Sequence, residues 1–306
     1  MNNSISNNIS IKETFVLGIR AVFYNGKFVA ILFAANFAAA LVLTMPLYHV
    51  LAANLGHSLM SDKLAFGFDY MWYIQFRNLY KITLAEVPLV IISMAGIYVL
   101  VQTFFLGGLI AVFNNSKKNH MVDFFYGGVK YFYRFVKVTL ISVVFLACAF
   151  KINDWLGDLI VWGFHNSENA MAEFILRSLR YIILVFLIGL VSIVSDYGKV
   201  SLAVKDNKKA IKSIYRAILF IKHNFVKVFT VFLFISILGA LGAVIYNIIG
   251  RFIPRTPYYF LVLSFILQQM LIIFRLLIRM LFYSTEVLLF RDLDADIVAA
   301  ETRTTE

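Results

Sequence analysis

Six stretches of the chain are apolar for long enough to cross a bilayer, and charged or amide-rich segments separate them. They cover approximately residues 28–54, 87–113, 138–161, 174–195, 228–250 and 258–290. A hydrocarbon core of about 30 Å needs roughly 17–25 apolar residues in helical form. The pattern therefore predicts six transmembrane helices. The third stretch is the most interrupted, because Lys151, Asn153 and Asp154 stand inside it. There the helix is expected to leave the bilayer and continue as an outer interfacial segment carrying Trp155 and Trp162.

The separating segments alternate in charge. Lys12, Arg20 and Lys27 precede the first stretch, five Lys/Arg lie in 114–137, and eight lie between Asp196 and Val228. Two intervening connections balance basic residues with Asp62, Asp69 and Glu86, or with Asp154, Asp158, Glu168 and Glu173, and the short 251–257 turn holds Arg251 and Arg255. Cytoplasmic loops collect Lys and Arg. The alternation predicts six spans with both termini in the cytoplasm.

Three of the spans begin alike, in "FYNGKFVAILF", "YFYRFVKVTLI" and "KHNFVKVFTVF". Phe28-Val29, Phe135-Val136 and Phe225-Val226 align, and a stretch of helical apolar spacing precedes each pair. In the third, Ile211, Ile214, Tyr215, Ile218, Ile221 and Phe225 share one face at about 100° per residue. Lys208, Lys209, Lys212 and Arg216 fall away from that face and are the candidate contacts to anionic lipid headgroups. Such a helix lies in the membrane interface, with Asp206 or Asn207 as its expected N-cap. The predicted fold is all-α: three helical hairpins, each preceded by a basic interfacial amphipathic helix. Residues 1–10 are expected to be disordered. Residues 11–290 form one membrane domain with pseudo-repeats near 11–113, 120–195 and 208–290, and 291–306 an acidic cytoplasmic tail.

Composition agrees with that class. Of 306 residues 61% are hydrophobic and 15% charged, against about 45–50% and 25% in soluble domains. The net charge of +11 sits in loops too short to fold as a nucleic-acid-binding domain, so the expected partners are anionic lipids and a membrane protein or a second copy of the chain. The single cysteine, Cys148, allows no disulfide within one chain. No cleavable leader is visible, so the first span is expected to direct insertion.

The sequence carries no His-Glu-x-x-His, Gly-x-Ser-x-Gly, phosphate-binding loop or dinucleotide fingerprint. His49 and His57 lack an evident third ligand, so no metal or cofactor is expected. The sixth span is unusual for its polar residues. Gln268, Arg275, Arg279 and Glu286 fall in one narrow stripe, and polar groups in spans face protein or water and mark function by default. Three roles stay open for the arginines: snorkelling to headgroups, an ion pair with Asp196 at the end of span 4, or an anion or lipid site. Asn36 and Gln102 are expected to hydrogen-bond between helices. Gly107-Gly108 and "SILGALGA" are expected to bring helices close.

"SDYGKVSLAVKDNKKAIKSIYRAILFIKHNF" resembles a pattern in bacterial multi-pass membrane proteins and in the membrane domain attached to some glycerophosphodiester phosphodiesterases. The resemblance implies packing and topology in a bacterial inner membrane. It transfers no catalytic residue, because no segment here is large enough to be that family's barrel. The expected function is a non-enzymatic scaffold or accessory subunit that organises lipid or a partner complex. The alternative is a transporter or channel for a small anionic or lipidic solute.

Overall fold

A computed structural model of the chain describes residues 10–56, 58–114, 120–164, 170–254 and 259–304. Residues 1–9, His57 and the last two residues of the acidic tail lie outside the described residues. Among the described residues the regular elements are ten α-helices: α1 (Ile11–Tyr24), α2 (Lys27–Leu55), α3 (Met60–Phe66), α4 (Tyr70–Leu79), α5 (Lys81–Asn114), α6 (His120–Phe164), α7 (Ala170–Val204), α8 (Ala210–His223), α9 (Phe225–Phe252) and α10 (Tyr259–Thr304). Six of them, α2, α5, α6, α7, α9 and α10, are long and apolar enough to cross a membrane. Each contains the described residues of one of the six predicted stretches; Tyr258, the first of the sixth, lies outside the described residues. The chain is an all-α membrane protein.

The helix breaks follow the chemistry of single residues. Asn25 ends α1, and its Nδ2 donates to the Ala21 carbonyl at 2.9 Å. Asn224 ends α8, and its Nδ2 donates to the Phe220 carbonyl at 3.3 Å. In both places the amide takes up a carbonyl four residues back and the next helix starts within two residues. In the second copy the position that matches Asn224, just before the aligned Phe135-Val136, is Arg134, a good helix former, and α6 runs unbroken through it. The segment before the third span is thus the first part of the spanning helix and not a separate interfacial one. Lys151, Asn153 and Asp154 do not end that helix either. The connection after α2 holds two short helices, the second capped by Asp69, whose Oδ1 accepts from the Trp72 N–H at 3.0 Å.

The chain forms two compact units. One comprises the described residues within Met1–Ile19, Leu106–Leu233 and Phe282–Glu306; the other comprises Arg20–Phe105 and Phe234–Leu281. In the first unit Phe124, Phe135, Leu109, Ile193 and Leu202 are fully buried. Here α5 and α6 cross at their glycines. A Cβ on Gly108 would stand 2.6 Å from the Phe124 carbonyl oxygen, and one on Gly127 2.2 Å from the Ala111 Cβ. Small residues let helix backbones approach this closely, and dispersion between them holds spans together in lipid. The second unit buries Phe28 and Leu32. Its "SILGALGA" glycines, Gly239 and Gly242, face Ile278 and Phe274 of α10.

The end of α7 is closed by a residue in the left-handed region. Asp206 has φ 46°. Its N–H reaches the Ala203 carbonyl at 3.4 Å and the Asn207 N–H reaches the Leu202 carbonyl at 3.0 Å. That is a Schellman closure, in which glycine is the usual residue and an aspartate is tolerated at modest cost. Neither Asp206 nor Asn207 caps α8. The N-cap is Lys209, which makes no side-chain cap bond.

Candidate functional site

The basic segment of the first unit is built around α8, whose surface has three sectors. Ala210, Ser213, Ile214, Ala217, Phe220 and Ile221 are buried. Ile211, Tyr215, Ile218 and Leu219 are exposed, Ile211 at 77%. Lys212, Lys222 and His223 are exposed and Arg216 is half-buried. The single apolar face expected from sequence is therefore divided: Ile214 and Ile221 pack inward, while Ile211, Tyr215 and Ile218 face out. Small residues cause the division. Ala210, Ser213 and Ala217 let α8 pack closely, and Ile214 sits over Gly198 of α7. Phe220 completes the contact with rings of Tyr197 and Phe290 at 5.5 and 4.9 Å.

Asp206 fixes the approach to α8. Its carboxylate accepts from Arg134 Nη1 at 2.7 Å and lies 3.0 Å from Lys130 Nζ. The hydrogen bond from Arg134, and next that from Lys130, hold this carboxyl below the usual carboxylate range. A depressed acid contributes stability that is complete above its unfolded value, near 3.8, and disappears as pH falls through the folded value. Asp206 is 55% exposed, so the contribution is about 1 kcal/mol or less. The melting-temperature gap between wild type and Asp206→Asn is predicted to stay constant from about pH 8 to 5 and to narrow progressively as pH falls below about 4. A gap that does not narrow between about pH 5 and 3 would assign the loss to backbone geometry instead of charge.

The four cations expected to meet lipid together separate into two places. Lys208, Lys209 and Lys212 line a groove of about 900 Å³ with Lys137 of α6. Arg216 lines a second cavity of about 540 Å³ with Lys205, His223 and Asp294. In the latter Lys205 pairs with Asp294 at 2.7 Å. Lys137 was not singled out from sequence. Its signal is its position one turn after Arg134 on a helix that continues unbroken.

The stripe on α10 also divides. Gln268 and Arg275 are exposed and Arg279 is half-buried, all in the second unit; Glu286, in the first, is 4% exposed. Arg279 Nη1 donates to Gln102 Oε1 at 2.6 Å, and Gln102 Nε2 donates to Asn36 Oδ1 at 3.0 Å. The Tyr98 hydroxyl donates to the same Asn36 oxygen at 2.5 Å. Asn36 and Gln102 are thus joined between helices, as expected, and a cation stands at the head of their chain. Beside it lies a cavity of about 240 Å³ whose polar lining is Asn36, Thr44 and Gln269.

Asp196 belongs to a buried charge group in the first unit. Lys199, one turn on in α7, is only 8% exposed and has its Nζ 3.7 Å from Asp196 Oδ1. Glu286 lies within electrostatic range of both, and its Oε2 has no hydrogen-bond partner among the described residues. Lys199 was missed from sequence, although its spacing of three from Asp196 on a helix was there to read.

No model of a known protein family matches the chain, and neither does any curated protein or solved structure.

Proposed function

We propose that the protein is a non-enzymatic scaffold of a bacterial cytoplasmic membrane, with both termini in the cytoplasm, that gathers anionic lipid at its basic side. The observation that carries this is the division of α8. One face is anchored in the protein, a second apolar face is turned outward, and lysines stand beside it. Such an element draws apolar area and headgroup charge together, each lysine contributing about 1 kcal/mol near an anionic surface. The charge alternation supports the orientation. A cysteine at Asn207 on a Cys148→Ser background is expected to react only from the cytoplasmic side; reaction from the outside would reverse it.

A transporter of small anions is the second reading, and the Arg279–Gln102–Asn36 chain beside a cavity favours it. One preparation separates the two. In proteoliposomes, spin-labelled phosphatidylglycerol should be enriched over phosphatidylcholine in the motionally restricted boundary fraction. That enrichment should persist in the Arg275→Leu/Arg279→Leu variant. Equal restriction of the two lipids would reject the scaffold reading. Anion flux present in wild type and lost in the variant would establish the transporter.

A further inference from the structure

The groove between α6 and α8 is chemically two-sided. Four lysines line it, Lys137, Lys208, Lys209 and Lys212, with Lys137 Nζ 4.5 Å from the centroid of the Tyr133 ring. Among the described residues none of the four pairs with a carboxylate; the nearby Asp206 is engaged by Arg134 and Lys130. The remaining lining is apolar, from Leu140 and Ile141 of α6 and Ile211 and Tyr215 of α8. Leu140 is 62% exposed, and Val143 and Val144 carry the exposed apolar surface further along the same helix.

A free anion would be drawn to the lysines but would gain nothing from the apolar wall. An apolar segment of protein would bring no counter-charge to the four lysines. A molecule with one anionic head and a hydrocarbon tail satisfies both parts. We propose that this groove holds one anionic phospholipid, its phosphodiester among the four ammonium groups and an acyl chain along Leu140, Ile141 and Ile211. The proposal rests on the membrane-scaffold reading and narrows it. Gathering of lipid around the protein is a property of its whole basic side, whereas this is a single site that includes Lys137 and excludes Arg216.

The test is native mass spectrometry of the full chain, released from detergent micelles with 1-palmitoyl-2-oleoyl-phosphatidylglycerol or the matching phosphatidylcholine. Wild type should retain one phosphatidylglycerol at energies that strip phosphatidylcholine. Changing all four groove lysines to Gln should weaken retention about tenfold or more, while changing them to Arg should preserve it. Lys222→Gln, an exposed cation of α8 outside the groove, should leave retention unchanged. Millimolar inorganic phosphate should not displace the lipid.

Equal retention of the two lipids, or an unaltered adduct in the four-Gln variant that still elutes as a folded species, overturns the proposal. Displacement by inorganic phosphate would make the site one for free anions and overturn it as well. Absence of the single adduct from wild type while boundary enrichment of phosphatidylglycerol persists defeats the groove and leaves the scaffold reading standing. Absence of both from wild type defeats the scaffold reading.

Discussion

Replacing Gly127 with leucine is expected to destabilise the protein by about 3 kcal/mol or more, enough to remove most folded material from a membrane preparation. The reason is rigid. A Cβ at Gly127 would stand 2.2 Å from the Ala111 Cβ and 3.0 Å from the Gly107 carbonyl oxygen. Neither is the end of a flexible side chain, so α5 and α6 must separate. Separation also loosens Gly108 against Phe124. Alanine at Gly127 poses two opposed effects. Removing a mid-helix glycine favours the helix by about 1 kcal/mol, while the clash costs about 1–3 kcal/mol, so a net loss is expected. Gly163 supplies the control: it lies in α6 with open space around it, and Gly163→Ala should be neutral or slightly stabilising. Adding Ala111→Gly to Gly127→Ala should cost less than the sum of the two single changes, because it removes the nearest atom struck at the expense of a new mid-helix glycine. Detergent-unfolding midpoints measure all of these. A Gly127→Leu midpoint equal to wild type would mean that the helices do not cross at these glycines.

The spans were legible because the physics that selects them is local. Length and apolar content decide whether a helix can cross a bilayer, and all six predicted stretches lie in helices of the expected length. The joints were harder. Asn25 and Asn224 break the chain three and one positions before the aligned Phe-Val pairs, while the second opening, with Arg134 before its pair, runs through. The faces of α8 were harder still. Hydrophobicity marks Ile211 and Ile214 alike, yet one is exposed and the other buried. Close packing of Ala210, Ser213 and Ala217 decides between them, and small residues carry no hydrophobic signal. The polar stripe on α10 was legible as a line along one helix. Its partners were not, because Gln102 lies 177 positions from Arg279. Asp206 shows the same limit locally. Asp and Asn are common both before a helix and after one, and here Asp206 closes α7 instead of opening α8.

The buried charges near the end of α7 carry the other large expected effect. Lys199→Met is predicted to cost about 3–5 kcal/mol, the range for breaking a buried ion pair from one side. Lys199 is 8% exposed and the Asp196 side chain 24%, so water replaces the missing cation only in part and the low end of that range is expected. The substitution leaves the Asp196 carboxylate without its ammonium partner 3.7 Å away, with Glu286 within electrostatic range of both. The loss is therefore mainly an unpaired Asp196 charge, and Glu286 adds repulsion only to the extent that it is ionised. That distinction is measurable. If Glu286 is ionised beside Lys199, adding Glu286→Gln should recover part of the stability, although Glu286→Gln alone should cost about 1 kcal/mol or less. A coupling of about 1–3 kcal/mol between the two positions is the expected result of the double-mutant cycle. Lys199→Arg should retain most of the stability, because the charge remains even if the longer head fits less well. Strict additivity of Lys199→Met and Glu286→Gln would show that Glu286 does not share the charge of Lys199, and the group would reduce to an ordinary pair of Asp196 and Lys199 within one helix.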